Sequence, residues 1–235
     1  MSAAPEPFRV ARLELAFVPK DWAFARDRRE EIAAHFAELK RRKPASWNGR
    51  VLLLHRQVVS EGVFRGEFLE TDYASFTAWR DWGTPRAGVH DCFGAAAVVT
   101  ADGALLLGEM SAHTVNAGMI YFPAGTPDPS DIVDGKVDLA HSVARELKEE
   151  TGCDVGEFAA EPEWVVVLDG ARCALVKILR SRENADALRA RMLAHMAREA
   201  QPELADIRIV RGPADFVPAM PGFVITFLEW FFERG

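Results

Sequence analysis

Two Asp-Gly turns, each flanked by apolar runs, constrain most strongly what this chain can fold into. Asp102-Gly103 interrupts GAAAVVTADGALLLGEM, and Asp169-Gly170 interrupts EWVVVLDGARCALVKIL. Asp-Gly between two apolar runs is a strong short-range signal of a β-hairpin. Between the hairpins stand a short strand, MIYFPAG, and a helix-forming stretch from Asp138 to Thr151. Hairpins that alternate with helices predict an α/β (α+β) fold, with a mixed sheet flanked by helices.

The first third of the chain predicts a block of its own. Its turn-rich end, WGTPRAG, occupies Trp82–Gly88. We therefore expect an N-terminal α/β subdomain over residues 1–88 and a second domain over residues 89–235. The block's predicted elements are strands at Phe8–Phe17, from Arg50 and from Gly62, a helix over Arg26–Lys43 and a short helix capped by Asp72.

The charge balance limits the class of partner. The 235 residues carry a formal net charge of −7, with acidic and basic residues interspersed. A nucleic-acid polymer needs a basic stripe to neutralise its phosphates, so DNA and RNA are disfavoured as partners. A small anionic substrate is compatible with this balance if a cation mediates its binding.

The cysteines and the apolar segments bear on the compartment. Cys92, Cys153 and Cys173 are few, odd in number and far apart, which is typical of a reducing environment. The N-terminus shows no signal-peptide pattern, and no apolar stretch approaches the roughly 18 to 20 residues of a membrane span. We therefore expect a cytoplasmic protein without a membrane partner.

Three carboxylates in RELKEETG, Arg145–Gly152, form the strongest candidate site. On a helix, Glu146, Glu149 and Glu150 share an arc of about 100°, beside an apolar stripe. Such close acids repel one another, and a hard divalent cation would compensate for the repulsion. Arg145 precedes Glu149 by four residues and is positioned to hold it by a fork of hydrogen bonds. Gly152 then ends the helix, as a left-handed C-terminal cap requires. A solvated helix face is the alternative explanation of the same acids.

The joint pattern favours the cation site. RELKEETGC, Arg145–Cys153, resembles the signature of the Nudix (MutT-like) hydrolase superfamily and matches every fixed position of its second half. That half reads Arg-Glu-apolar-x-Glu-Glu-x-Gly-apolar. The resemblance covers about Val89 to Gly235. It implies a Nudix-type α/β/α sandwich, to which the N-terminal block is an addition used for a substrate pocket or for a homodimer contact.

The first half of the signature departs from the family. Val137 stands where the pattern has Glu, and Asp131 where it has Gly. Gly125 is the better match to that glycine, with 19 residues between it and Arg145 against 13 in the pattern. We therefore expect six extra residues in the loop TPDPSDIVDGKV. Either Asp134 or Asp138 is a candidate replacement for the missing glutamate.

The resemblance implies hydrolysis of the pyrophosphate in a nucleoside diphosphate linked to another moiety, with Mg²⁺ or Mn²⁺ as the cofactor. Glu149 and Glu150 match metal ligands, Glu146 a ligand or the catalytic base, and Arg145 an orienting residue. The Gly125 carbonyl is a further candidate ligand. A Nudix-fold module that binds a small nucleotide without turnover is the alternative function.

Residues outside this signature, which is called the Nudix box, remain weaker candidates. Arg86, His113 and Lys136 flank the site in sequence and are candidate phosphate contacts. Glu199 and Glu203 are candidate additional acids, although exposed helix-end acids are the commoner case. Trp79–Trp82 is either a base-stacking platform or a packing anchor. The segment FVITFLEWFF is too short to span a membrane and predicts a core or dimer-contact helix.

Overall fold

The computed structural model describes residues 5–44 and 46–234. These residues form two compact units. The larger unit comprises the residues up to 12, residues 93–125 and those from 139 onward, and the smaller unit comprises residues 13–92 and 126–138.

The strands in chain order are β1 (Phe8–Val10), β2 (Arg12–Phe17), β3 (Arg50–Ser60), β4 (Val63–Asp72), β5 (Asp91–Val99), β6 (Leu105–Met110), β7 (Ile120–Tyr121), β8 (Ala124–Gly125), β9 (Ile132–Val133), β10 (Lys136–Val137), β11 (Ala159–Asp169), β12 (Arg172–Arg180) and β13 (Leu204–Val210). The helices are α1 (Ala23–Asp27), α2 (Arg29–Arg42), α3 (Tyr73–Asp81), α4 (Leu139–Thr151), α5 (Ala185–Met196) and α6 (Gly222–Phe232).

The sheet of the larger unit contains both predicted hairpins. Its strand order is β1-β11-β12-β5-β6-β13, with β7 beside β6 and β8 beside β5. β5 and β6 pair next to Asp102-Gly103, and β11 and β12 pair next to Asp169-Gly170. Gly103 and Gly170 have φ of 80° and 60°, the left-handed conformation that Gly adopts without steric cost. Both hairpin predictions are confirmed.

Helices cover both faces of this sheet. On one face, Phe93 and its alternate neighbours on β5 join a core cluster with α6, in which the Phe93 and Phe223 rings meet at 5.3 Å. On the other face, Gly94 lies directly beneath Leu139 and Val143 of α4. Successive strand residues point to opposite faces, so the sheet lies between α4 and α6. The predicted α/β/α arrangement with a mixed sheet is confirmed.

Gly94 permits the close approach of α4, and a methyl group there is expected to destabilise the fold. A Cβ at Gly94 would lie 2.6 Å from Val143 Cγ2 and 3.2 Å from the Leu139 carbonyl oxygen. We expect Gly94→Ala to lower the free energy of unfolding by about 1–3 kcal/mol, the usual cost of overpacking. Urea denaturation measures the difference. Gly212→Ala is the matched control because Gly212 has extended backbone and open space around it, and an equal loss in both variants would contradict the packing argument.

The smaller unit has its own sheet, ordered β3-β4-β2-β10-β9. Its last two strands come from the lengthened loop TPDPSDIVDGKV. They form a hairpin whose turn residues, Asp134 and Gly135, have φ of 50° and 75°. Lys136 pairs with Ala16 of β2, and Phe17 N–H donates to the Gly135 carbonyl at 2.9 Å. The extra residues are therefore an ordered part of this sheet.

Other sequence predictions have mixed outcomes. The strand predicted over Phe8–Phe17 bends at Ala11, and its halves, β1 and β2, join different sheets. Asp72 caps α3 as predicted, accepting from Ser75 N–H at 2.8 Å. Trp79 is fully buried and donates to the Pro85 carbonyl at 2.9 Å, so it offers no face to a base.

Two further observations concern the cysteines and the helices. Cys92, Cys153 and Cys173 are buried and are not joined in disulfides. Within residues 5–44 and 46–234, every helix is too short or too polar to traverse a bilayer.

Candidate active site

The helix α4 carries the acids of RELKEETG and ends as the sequence predicts. Gly152 follows its last residue with a φ of 73°, and its N–H donates to the Lys148 carbonyl oxygen at 2.9 Å. Leu139, Val143 and Leu147 are buried along one side of the helix. This packing fixes α4 against the sheet and so fixes the direction of the neighbouring acidic side.

Glu146 lies against the backbone of β8. A Cβ at Gly125 would stand 2.3 Å from Glu146 Oε1, so the carboxylate occupies the space that any other side chain at Gly125 would need. The Glu146 side chain is only 14% exposed. The structure therefore brings together Gly125 and Glu146, two of the predicted ligands, from elements that are distant in sequence.

Arg145 contacts Glu146 more closely than Glu149. Its Nη1 donates to Glu146 Oε1 at 2.6 Å and stands 3.6 Å from Glu149 Oε2. Arg145 therefore forms the predicted ion pair with Glu149, but its contact with Glu146 is shorter. Solvation explains the difference, because the Glu149 side chain is 62% exposed and water competes for it. Arg145 orients the acid that lies against Gly125.

Glu150 is a buried carboxyl group in an acidic environment. It is 6% exposed, and burial together with the negative charges of Glu146 and Glu203 raises its pKa well above the usual range. The Ala124 N–H donates to it, but in the described part of the chain its Oε2 has no hydrogen-bond partner. Burial of an unpaired carboxyl oxygen is costly. A cation beside Glu150 would offset its repulsion by Glu146 and Glu203 and would give its Oε2 atom a partner.

The two acids considered outside the box differ in position. Glu203, in the segment before β13, is near enough to Glu150 to act on its charge. Glu199 instead lies 3.0 Å from His195 Nε2, one helical turn away. Glu203 is thus the stronger candidate for an additional acid. Its only sequence signal is its place before a predicted strand, which does not indicate the helix it will face.

The donor set fits a hard divalent cation. Glu146 and Glu150 supply carboxylate oxygens at one place, and Mg²⁺ usually takes one or two carboxylates and completes its shell with waters and substrate phosphates. Among residues 5–44 and 46–234, no group of three or more His, Cys, Asp or Glu side chains is arranged to hold a metal ion by itself. With two carboxylates as ligands, an octahedral cation has its other positions available to waters and phosphate oxygens.

The weaker phosphate candidates are exposed side chains. Arg86 is exposed after α3, and Lys136 is exposed on β10, both within the smaller unit. His113 is exposed in the loop between β6 and β7 of the larger unit. Their roles stay predictions, as do those of the box residues.

Comparison with known proteins bears on the fold. No protein-family model and no curated protein matches the chain. The chain is similar to the solved structure of a Nudix hydrolase from M. Smegmatis, RenU, with 15% identity and a TM-score of 0.38 over 62% of this chain and 83% of that one. It is also similar to the MutT protein from Methanosarcina mazei Go1, with 19% identity and a TM-score of 0.40 over 62% of this chain and 94% of that one.

A third similar structure is larger. The bifunctional NMN adenylyltransferase/ADP ribose pyrophosphatase from Francisella tularensis, complexed with AMP and Mn ion, shows 14% identity and a TM-score of 0.42. The match covers 68% of this chain and 46% of that one. These likenesses concern the fold alone. The architecture of the chain is given by its own strands and helices, an α/β/α arrangement around a mixed sheet.

Proposed function

We propose that this protein is a divalent-metal-dependent hydrolase that cleaves the pyrophosphate bond of a nucleoside diphosphate linked to another moiety. Candidate substrates are nucleoside diphosphate sugars, ADP-ribose and coenzyme A derivatives. The observation that carries the proposal is Glu150, a buried acid with an unpaired oxygen, placed among other acids on the helix that matches the Nudix box. A cation-binding acid explains this arrangement, and a solvated helix face does not.

Each box residue has a proposed part. Glu146, Glu149 and Glu150, with the Gly125 carbonyl, would hold Mg²⁺ or Mn²⁺. A cation held there would supply charge neutralisation for the phosphate oxygens of the substrate. Arg145 keeps the Glu146 carboxylate oriented through the hydrogen bond at 2.6 Å. Glu146 either binds the cation or accepts a proton from the attacking water.

A substrate panel tests the proposal. The full chain is incubated with each candidate in Mg²⁺ or Mn²⁺, and released phosphate is measured after coupling to a phosphatase. We expect turnover of at least one compound, which EDTA abolishes. Turnover that persists unchanged in EDTA contradicts the metal-dependent mechanism. Ligand binding without product under both metals instead favours a Nudix-fold nucleotide-binding module.

The close contact between Gly125 and Glu146 allows activity to be separated from stability. We expect Gly125→Ala to lower turnover by about tenfold or more, because its methyl group displaces the Glu146 carboxylate. The clashing atoms are the end of a flexible side chain, so we expect the unfolding midpoint to change little. Steady-state kinetics and thermal unfolding of the same preparation give both quantities. Gly212→Ala serves again as control, and a Gly125→Ala enzyme of full activity would contradict the assigned role of Glu146.

A further inference from the structure

A cavity in the larger unit has an unusual lining. Its volume is about 390 Å³, within the range of small-molecule sites. Four arginines and three aromatic residues dominate its wall, which contains no acidic residue within the described part of the chain. They are Arg9, Arg180, Arg211, Arg234, Trp230, Phe231 and Phe232. In a chain of net charge −7, this concentration of arginine is a local exception.

Acids outside the cavity wall hold each of the four guanidinium groups. Glu161 pairs with both Arg9, at 2.9 Å, and Arg180, at 2.7 Å. The other two pairs are Arg211 with Asp102 at 2.7 Å and Arg234 with Glu6 at 2.6 Å. These ion pairs orient the guanidinium groups. They lower the conformational entropy that the arginines would lose on binding a ligand.

The ion pairs do not use every N–H donor of the four arginines. A guanidinium group has five N–H donors on three nitrogens. Arg211 uses only Nη1 and Arg234 only Nη2 in the side-chain bonds of the described residues, while Arg180 uses Nε and Nη2. Each arginine therefore keeps at least one nitrogen with donors available to a ligand.

Trp230 adds an aromatic surface to the cavity wall. The guanidinium groups of Arg9 and Arg234 lie 5.4 Å and 5.2 Å from its ring centroid. At these distances the ring attracts both cations, so it helps to keep the two guanidinium groups at the wall.

The cavity is separate from the candidate active site. Trp230 and its neighbours belong to α6, which packs on the face of the sheet opposite to α4. Val99 and Gly103, at the end of β5 and in the following turn, also line the cavity. A ligand here therefore acts apart from the carboxylates of the Nudix box.

We propose that this cavity binds a small phosphate-bearing anion. A phosphate group offers several acceptor oxygens to donors that converge from different elements, and arginine is the side chain best suited to bind them in pairs. A carboxylate offers only two oxygens and leaves more of these donors unmet. A volume of this size suits inorganic phosphate, pyrophosphate or a small phosphate ester rather than a polymer.

Calorimetric titration of the full chain with sodium phosphate and sodium pyrophosphate tests the proposal. The buffer contains EDTA, so that metal-dependent binding at the Nudix box does not contribute. Sodium acetate at the same ionic strength measures the effect of charge alone. We expect saturable binding of phosphate or pyrophosphate, weakened about tenfold or more by Arg211→Gln, because one charge-assisted contact is lost. Arg180→Gln gives a second, independent variant.

Arg208→Gln is the matched control for these variants. Arg208 is 51% exposed and paired with Glu109, much as Arg211 is 50% exposed and paired with Asp102, but it does not line the cavity. We expect the affinity of Arg208→Gln for phosphate or pyrophosphate to stay within about twofold of the wild-type value. The Glu150→Gln variant should bind phosphate as tightly as the wild type. Binding at the cavity is then shown to be independent of the proposed hydrolysis. Absence of saturable binding up to about 10 mM, acetate binding as tight as phosphate binding, or equal losses in Arg208→Gln and Arg211→Gln overturns the proposal.

Discussion

Replacing Glu150 by glutamine is expected to lower metal-dependent turnover by roughly a hundredfold or more without unfolding the protein. Glutamine keeps the size of the side chain but removes the negative charge on which cation binding depends. The raised pKa of Glu150 shows that the charged form is unfavourable in the metal-free protein, so its loss should not destabilise the fold. Kinetics in Mg²⁺ and Mn²⁺, with thermal unfolding in the presence and absence of metal, measure both effects.

The metal response makes this prediction specific. A cation that binds only the folded protein raises the unfolding temperature, and we expect Glu150→Gln to lose most of that increase. Glu149→Gln should also lose activity, although Glu149 is more exposed. Glu229→Gln, an exposed acid on α6, is the control. Full activity in Glu150→Gln, or an equal loss in Glu229→Gln, contradicts the assignment of Glu150 as a ligand.

The elements that could be predicted from the sequence are those with local signals. Asp102-Gly103 and Asp169-Gly170 specify tight turns by their own backbone preferences, so the hairpins around them follow without tertiary information. Gly152 ends α4 for a similar reason, since it adopts a positive φ at no steric cost. The acidic side of α4 follows from helical periodicity.

The strands in the loop TPDPSDIVDGKV could not be predicted from local sequence signals. β9 and β10 have two residues each, too few for an alternating pattern to be visible. Their place in the sheet depends on pairing between Lys136 and Ala16, which are far apart in sequence. The same limit applies to the strand predicted at Phe8–Phe17, because its apolar pattern does not show that its two halves pair with different partners.

Contacts within the candidate site were only partly predictable. The motif correctly places Glu146, Glu149 and Glu150 on one helix. Helical spacing predicts the ion pair of Arg145 with Glu149, but it does not predict the shorter contact of Arg145 with the more buried Glu146. Sequence spacing does not predict the contact of Glu146 with Gly125 or the proximity of Glu203 to Glu150. Each of these contacts joins two elements that only the folded sheet brings together.

Truncation of Phe227 is expected to have the largest effect on stability. Phe227 is fully buried on α6, and its ring meets Phe122 edge to face at 5.1 Å and Phe231 in a stack at 6.0 Å. We expect Phe227→Ala to lower the free energy of unfolding by about 3–5 kcal/mol, through lost burial and a residual cavity. Urea denaturation measures the change, with the partly buried Phe232→Ala as control.

The same variant distinguishes the two interpretations of FVITFLEWFF as a core helix or a dimer contact. In the structure, Phe223, Val224, Phe227 and Leu228 belong to the core cluster of the larger unit, which favours the core. A core residue stabilises each chain by itself, so the loss in Phe227→Ala should not depend on protein concentration. A residue in a dimer contact stabilises by association, and its effect grows with concentration. Denaturation over a hundredfold range of concentration, roughly 1 to 100 μM, separates these cases because mass action shifts dimer stability by about 1.4 kcal/mol per tenfold change. A concentration-dependent loss, or a loss no larger than that of Phe232→Ala, would contradict the assignment of α6 to the core.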